Sequence, residues 1–102
     1  MKRYRVVLAP EALSHLRDLR DYIGAQNSRA IADGFVDRII DHCRKLETFP
    51  RRGTMRDDLR PGVRTMPFDK RTTICFDVDR DIVTILKVAY GGRDLAQFFV
   101  EG

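Results

Sequence analysis

Arginine is the residue type with the most chemistry to offer in this chain, and it is gathered in one place. The 102 residues include fifteen Arg and four Lys. Residues 51–71 hold seven basic side chains (Arg51, Arg52, Arg56, Arg60, Arg64, Lys70, Arg71) against three acidic ones (Asp57, Asp58, Asp69). That stretch carries the whole formal charge of +4, and the remainder is balanced. A guanidinium offers a planar fork of donors suited to carboxylate and phosphate, and it gives up little hydration at an interface. Arg60, Arg64, Arg71 and Arg93, with Tyr90 near the last, are therefore candidates for gripping an anionic partner, either nucleic acid or an acidic protein segment. The same group could stabilise a phosphorane-like charge in RNA cleavage, with Tyr90 or an arginine moving the proton. The competing arrangement is internal, with Arg93 paired to Asp94, and Arg60 and Arg64 to Asp57 or Asp58.

The remaining reactive side chains offer less. His15 is expected on the solvent side of the first helix, and His42 falls in the apolar stripe of the second as a boundary histidine. No Ser-His-Asp or Cys-His spacing supports a nucleophile, and Glu47 and Glu101 are isolated. Gly91-Gly92 follows a strand without the continuation of a phosphate loop. Cys43 and Cys75 lie far apart and read as small buried apolar side chains, and two Cys with two His do not assemble a zinc site. No catalytic residue, metal or cofactor is expected.

These residues must be positioned by a small set of elements. Tyr4 to Ala9 reads as an opening strand, and Pro10 and Glu11 suit the first turn of a helix. Ala12, Leu16, Leu19 and Ile23 mark its apolar face until residues 24–27 break it. Ser28 caps a longer helix whose stripe is Ile31, Phe35, Ile39, His42, Leu46 and Phe49, ended by Pro50 and Gly53. The short link predicts an antiparallel helical hairpin. Beyond residue 53 the period changes to two. Arg60-Pro61-Gly62 is a turn of type II character, and Val63, Met66 and Phe68 form a strand that Pro67 confines to an edge or a bulge. Ile74, Phe76 and Val78 mark a half-buried strand, and residues 82–90 an apolar one that should be central and covered on both faces. The only strand left to pair beside it is the first. Asp94 is a plausible cap for an apolar tail of Leu95, Phe98, Phe99 and Val100. The expected core is Leu16, Leu19, Phe35, Ile39, Leu46, Ile74, Phe76, Ile85 and Val88.

Composition bounds the answer. With 43% hydrophobic and 33% charged residues the chain is not a disordered tail, and its length fits one domain, residues 1–102. No apolar run reaches the ~18 residues of a membrane span, and the stretch after the basic N-terminus is too short for a signal peptide. A cytoplasmic protein that does not engage membranes is expected. The fold class is α+β, with order β-α-α-β-β-β and the helical hairpin on one face of a mostly antiparallel four-stranded sheet.

Taken together, the chain resembles the ParE branch of the ParE/RelE toxin superfamily from Tyr4 to about Asp94. The resemblance rests on the opening strand with Pro10-Glu11-Ala12, on Phe49-Pro50-Arg51-Arg52-Gly53 and on Arg56-Asp57-Asp58-Leu59-Arg60-Pro61-Gly62-Val63-Arg64. It rests equally on Ile85-Leu86-Lys87-Val88-Ala89-Tyr90-Gly91-Gly92-Arg93-Asp94. It implies the same fold and the toxin of a type II toxin–antitoxin system, of the plasmid-stabilisation kind, that blocks DNA gyrase without being an enzyme. A ParD-like antitoxin would neutralise it with an apolar, acidic segment that folds on binding. The expected target or antitoxin surface is Arg60, Arg64, Arg71, Tyr90, Arg93, Phe98 and Phe99, with no sequence-specific DNA binding by the chain alone. The RelE branch implies a ribosome-dependent mRNA endoribonuclease instead, and a non-toxic member that only binds its antitoxin is a third reading. Histidine often stands in this family where the chain has Tyr90, and Ser or Thr where it has Ala9.

Overall fold

The computed structural model describes residues 2–92 and 94–99. Strand β1 (Arg5–Leu8) leads into helix α1 (Pro10–Gln26), with Pro10 in its first turn and no side-chain cap from Ala9. Ser28 begins α2 (Arg29–Arg44), its side chain accepting from Ile31 N–H, and one 3-10 turn follows at Lys45–Glu47. Strands β2 (Thr54–Met55), β3 (Arg64–Pro67), β4 (Thr72–Asp79) and β5 (Ile82–Tyr90) come next, then a short helix α3 (Leu95–Phe98).

The sheet order is β1-β5-β4-β3-β2, with β1 parallel to β5 and every other pair antiparallel. The first strand does pair with the last, as the lack of any other spare strand required. The sheet has five strands rather than four. The extra one is two residues long, too short to alternate, and Gly53 makes it possible. Gly53 has φ +79°, and a Cβ there would sit 2.3 Å from the Thr65 carbonyl oxygen. Only glycine lets the chain approach β3 this closely.

Ala12, Leu16, Leu19, Ile23, Ile39 and Leu46 from the helices meet Met66, Ile74, Phe76, Val83, Ile85 and Val88 from the sheet. Three details depart from the sequence reading. Helix α1 runs through Gly24 to Gln26, whereas α2 stops five residues before Phe49. Ile31 and Phe49, expected in the buried stripe, are exposed, and Phe35 only borders the core. The stripe is buried only where the sheet lies beneath it. No helix among the described residues is long and apolar enough to cross a membrane.

Candidate partner-binding surface

Strand β5 outruns its parallel neighbour, and the surface is built around the unpaired remainder. Pairing with β1 ends at Leu8 opposite Ile85, closed by Ala9 N–H donating to the Ile85 carbonyl at 2.9 Å. A bulge leaves Leu86 without a partner on β4, since Cys75 faces Lys87 and Phe76 faces Ile85. The bulge shifts the pleat so that Val88 and Tyr90 stay on the hairpin side, while Lys87 and Ala89 turn to the other. Val88 N–H, on the open side of the strand, donates to Nδ1 of His15 at 3.1 Å. His15 thus does for β5 what another residue of β1 would have done. It is not solvent-facing: only 17% of its side chain is exposed, and its ring meets Phe98 edge-on at 5.1 Å. Its spacing puts it beside the apolar stripe of α1, and the sheet edge it serves could not be seen in helical periodicity.

At the end of β5 the Tyr90 ring lies 6.1 Å from Tyr22 and 6.2 Å from Phe35, and the Arg71 guanidinium sits 5.6 Å from its centroid. Local turns fix Arg71. Its N–H donates to Asp69 Oδ1 at 2.9 Å, and its carbonyl accepts from Gly91 N–H at 2.8 Å, which ties the β3–β4 turn to the end of β5. A cleft of about 350 Å³ opens there, lined by His15, Asp18, Tyr22, Arg71 and Tyr90 among others.

On the opposite face, Lys87 is buried with 8% of its side chain exposed and donates to Glu11 Oε1 at 2.7 Å. That bond holds the Glu11 carboxyl below the usual range, with smaller contributions from the nearby charges of Lys87, His15 and Arg60. Phe99 brings two cations together, with Lys87 Nζ 5.0 Å and the Arg60 guanidinium 5.1 Å from its ring centroid. Asp94 caps α3 by accepting from Ala96 N–H, which aims Phe98 at His15 and Phe99 at Lys87. Asp77 on this face is pushed up by burial, an effect opposed by Arg60.

The predicted residues therefore form two linked groups, Arg71 with Tyr90 and Arg60 with Phe99, joined through Phe98 and His15. Arg64 lies on β3 opposite Phe76 and shares none of these ring contacts. Arg93 falls outside the described residues. The internal pairing of arginines fails for Arg60 and Arg64: Asp58 is held by Arg56 at 2.9 Å, and Asp57 accepts from Gly62 N–H. Among the described residues none of Arg60, Arg64 and Arg71 stands in an ion pair. His42 is a boundary histidine as expected, its Nε2 3.1 Å from the Pro67 carbonyl, and burial pulls its pKa down. Both cysteines are free and buried, their thiols raised by burial to about 12 at Cys43 and about 11 at Cys75. No group of three or more His, Cys, Asp or Glu among the described residues could hold a metal ion.

The sequence reading missed His15, Lys87, Glu11 and Tyr22. A single lysine inside an apolar strand is a visible signal of a buried charge that needs a carboxylate partner. Nothing in the sequence marked Tyr22.

Comparison with known proteins agrees with this architecture. Residues 6–95 match the family described as "ParE toxin of type II toxin-antitoxin system, parDE". "Toxin ParE3" of Caulobacter vibrioides is 34% identical over 70 residues, which cover 69% of either chain. A solved structure described as "Chromosomal ParDE TA system from P. aeruginosa" superposes with a TM-score of 0.77 at 20% identity, covering 87% of this chain and 97% of that one.

Proposed function

The chain belongs to the ParE toxin family of type II toxin–antitoxin systems, and on that premise we propose that it is a non-enzymatic cytoplasmic toxin. It inhibits DNA gyrase and is neutralised by a ParD-like antitoxin, acting as one domain over residues 1–102. The observation that carries this reading is the pair of arginines that stand in no ion pair among the described residues and are held on aromatic rings, Arg71 on Tyr90 and Arg60 on Phe99. A guanidinium stacked on a ring is oriented in advance and keeps its N–H donors for another molecule. Rings beside it supply apolar area for a segment that is disordered alone and folds on binding. Both histidines are engaged in holding backbone groups, which favours gripping over proton transfer. The proposed surface is Arg60, Arg71, Tyr90, Phe98 and Phe99, with Arg64 at its margin and Arg93 included from its place in the sequence.

Induction in a sensitive host tests it, with DNA and mRNA followed together. Gyrase poisoning gives filamentous cells, an SOS response and cleaved DNA with intact transcripts. Rapid codon-associated mRNA cuts would establish the RelE-type activity instead. Normal growth with tight antitoxin binding would leave only the antitoxin-binding role. Arg71→Ala is expected to reduce toxicity at least tenfold, the order expected from losing a charged contact of about 1.5–3 kcal/mol, with little change in stability.

A further inference from the structure

A second basic surface lies at the other end of β5. Tyr4 immediately precedes β1, whose Arg5 pairs with Ile82 at the start of β5, whereas Tyr90 closes that strand. An open cleft of about 600 Å³ is found here, lined by Lys2, Tyr4, Phe49, Pro50, Arg51 and Arg52. Phe49 is 63% exposed, the most exposed large apolar side chain among the described residues. It is held there by its neighbour, since Pro50 is buried and anchors the loop. The acids nearby are already taken. Asp81 holds Lys2 at 2.8 Å, and Glu47 holds Arg3 at 3.0 Å. Lys2 also covers the Tyr4 ring at 5.3 Å. Among the described residues of this cleft, Phe49 is thus the ring with a free face, and Arg51 and Arg52 are the cations in no ion pair.

We propose that this cleft binds single-stranded nucleic acid, with Phe49 stacking on one base and Arg51 and Arg52 taking the flanking phosphates. An exposed ring beside two unpaired guanidiniums matches the chemistry of an unpaired nucleotide strand, whose bases offer π-faces between phosphates. A duplex keeps those faces stacked and turns only base edges outward. Base edges meet no buried polar reader in this cleft, so binding is indifferent to sequence. The inference stands apart from the gyrase reading, because a chain that grips a strand here without touching gyrase satisfies it.

Fluorescence anisotropy of the full chain with labelled dT12 and rU12 over a range of salt tests the proposal. Binding is expected to both strands, with the two affinities showing whether the 2′-hydroxyl matters. Phe49→Ala should weaken it roughly tenfold or more. Phe49→Leu, which keeps apolar bulk but no π-face, should lose as much. Arg51→Ala with Arg52→Ala should reduce the slope of log K against log salt by about 1.4, as two phosphates are released. Arg17→Ala with Arg20→Ala removes equal charge from an exposed face of α1 and should leave that slope unchanged. The proposal is overturned if neither strand binds at low salt. It is overturned equally if both Phe49 variants bind like the parent, if the α1 control lowers the slope as much, or if a duplex or an acidic peptide of matched charge binds as tightly as dT12.

Discussion

The two faces of the sheet are cut from the same strands yet closed by different physics. On the hairpin side Ile74, Phe76, Val83 and Ile85 are fully buried beneath α1 and α2, carbon against carbon. On the other side Thr65, Cys75, Lys87 and Ala89 are also buried, without a second pair of long helices. Over them lie an ion pair, one phenylalanine ring and an arginine-bearing loop. The first face draws on the hydrophobic effect, which is distributed over many contacts and tolerant of where each one falls. The second depends on a few individually placed groups, so it presents charge at its rim. A small protein can thus keep its densest apolar core in one layer and its buried charge in the other.

Adjacent residues of β4 test this division most severely. Phe76 faces the hairpin and Cys75 faces away, both with no exposed surface. Phe76→Ala should cost about 3–5 kcal/mol by urea denaturation, from lost transfer free energy and the cavity left behind. Cys75→Ala removes one sulfur and should cost about 1 kcal/mol. Equal costs would mean that the second face is as densely cored as the first.

The ion pair separates the faces next. Lys87 is buried whereas Glu11 is 54% exposed, so the partners are not equivalent. Glu11→Ala strands an ammonium in low dielectric and should cost about 2–4 kcal/mol. Lys87→Met fills the same volume and lets Glu11 return to water, so it should change stability by no more than about 1 kcal/mol. The pH dependence carries the same signature. Because the folded state lowers the Glu11 pKa, its contribution is fully present above the ordinary value of 4.5 and is lost as pH falls through the folded value. Asp77, raised by burial, has the opposite sign: it stabilises below its ordinary 3.8 and loses that contribution as pH rises through its folded value. Glu11→Ala should therefore flatten the acid limb of the stability curve, read as urea midpoints between pH 3 and 6.

This asymmetry also explains what the sequence disclosed. Period-two and period-3.6 patterns record which side chains meet carbon, so the hairpin face and the interior place of β5 were legible, and its pairing with β1 followed because no other strand was left to flank it. The turn at Arg60-Pro61-Gly62 was legible for the same local reason, and Gly62 has φ +87° with Val63 N–H returning to the Arg60 carbonyl. The second face and the sheet edge beside it are made of contacts far apart in sequence, Lys87 with Glu11 and Val88 with His15, and no local pattern encodes these. A bulge at Leu86 then reverses the faces of the last four residues of β5, which no alternation rule anticipates. Arg60, Arg71, Tyr90 and Phe99 could each be named as candidates from the sequence, but not which ring each guanidinium rests on.

His15 lies where the two faces meet, and its removal should have an intermediate effect. His15→Ala leaves Val88 N–H without its acceptor at a half-buried edge, a loss of about 1–2 kcal/mol. Amide hydrogen exchange gives the cleaner measurement. Val88 should exchange markedly faster, while Ile74, its partner on β4, should remain protected. Uniform acceleration across β4 and β5 would mean that the histidine supports the whole sheet rather than one edge.

The smallest effect on stability is expected at Phe99, and it separates closure of the second face from its use. The ring is half-buried and carries two cations, Lys87 and Arg60, each such contact being worth about 0.5–1 kcal/mol near a surface. Lys87 keeps its bond to Glu11 when the ring is gone, and Arg60, exposed and unpaired, returns to water. Phe99→Ala should therefore lower stability by about 1 kcal/mol, the low end for two such contacts. If the ring serves a partner, antitoxin affinity should fall well beyond that, by tenfold or more in calorimetric titration, because Arg60 is no longer held in place. Phe99→Leu distinguishes area from orientation: it restores apolar cover but no π-face, and should recover stability without recovering affinity. Recovery of both would make Phe99 a plug over Lys87 and leave Arg71 with Tyr90 as the surface that partners read.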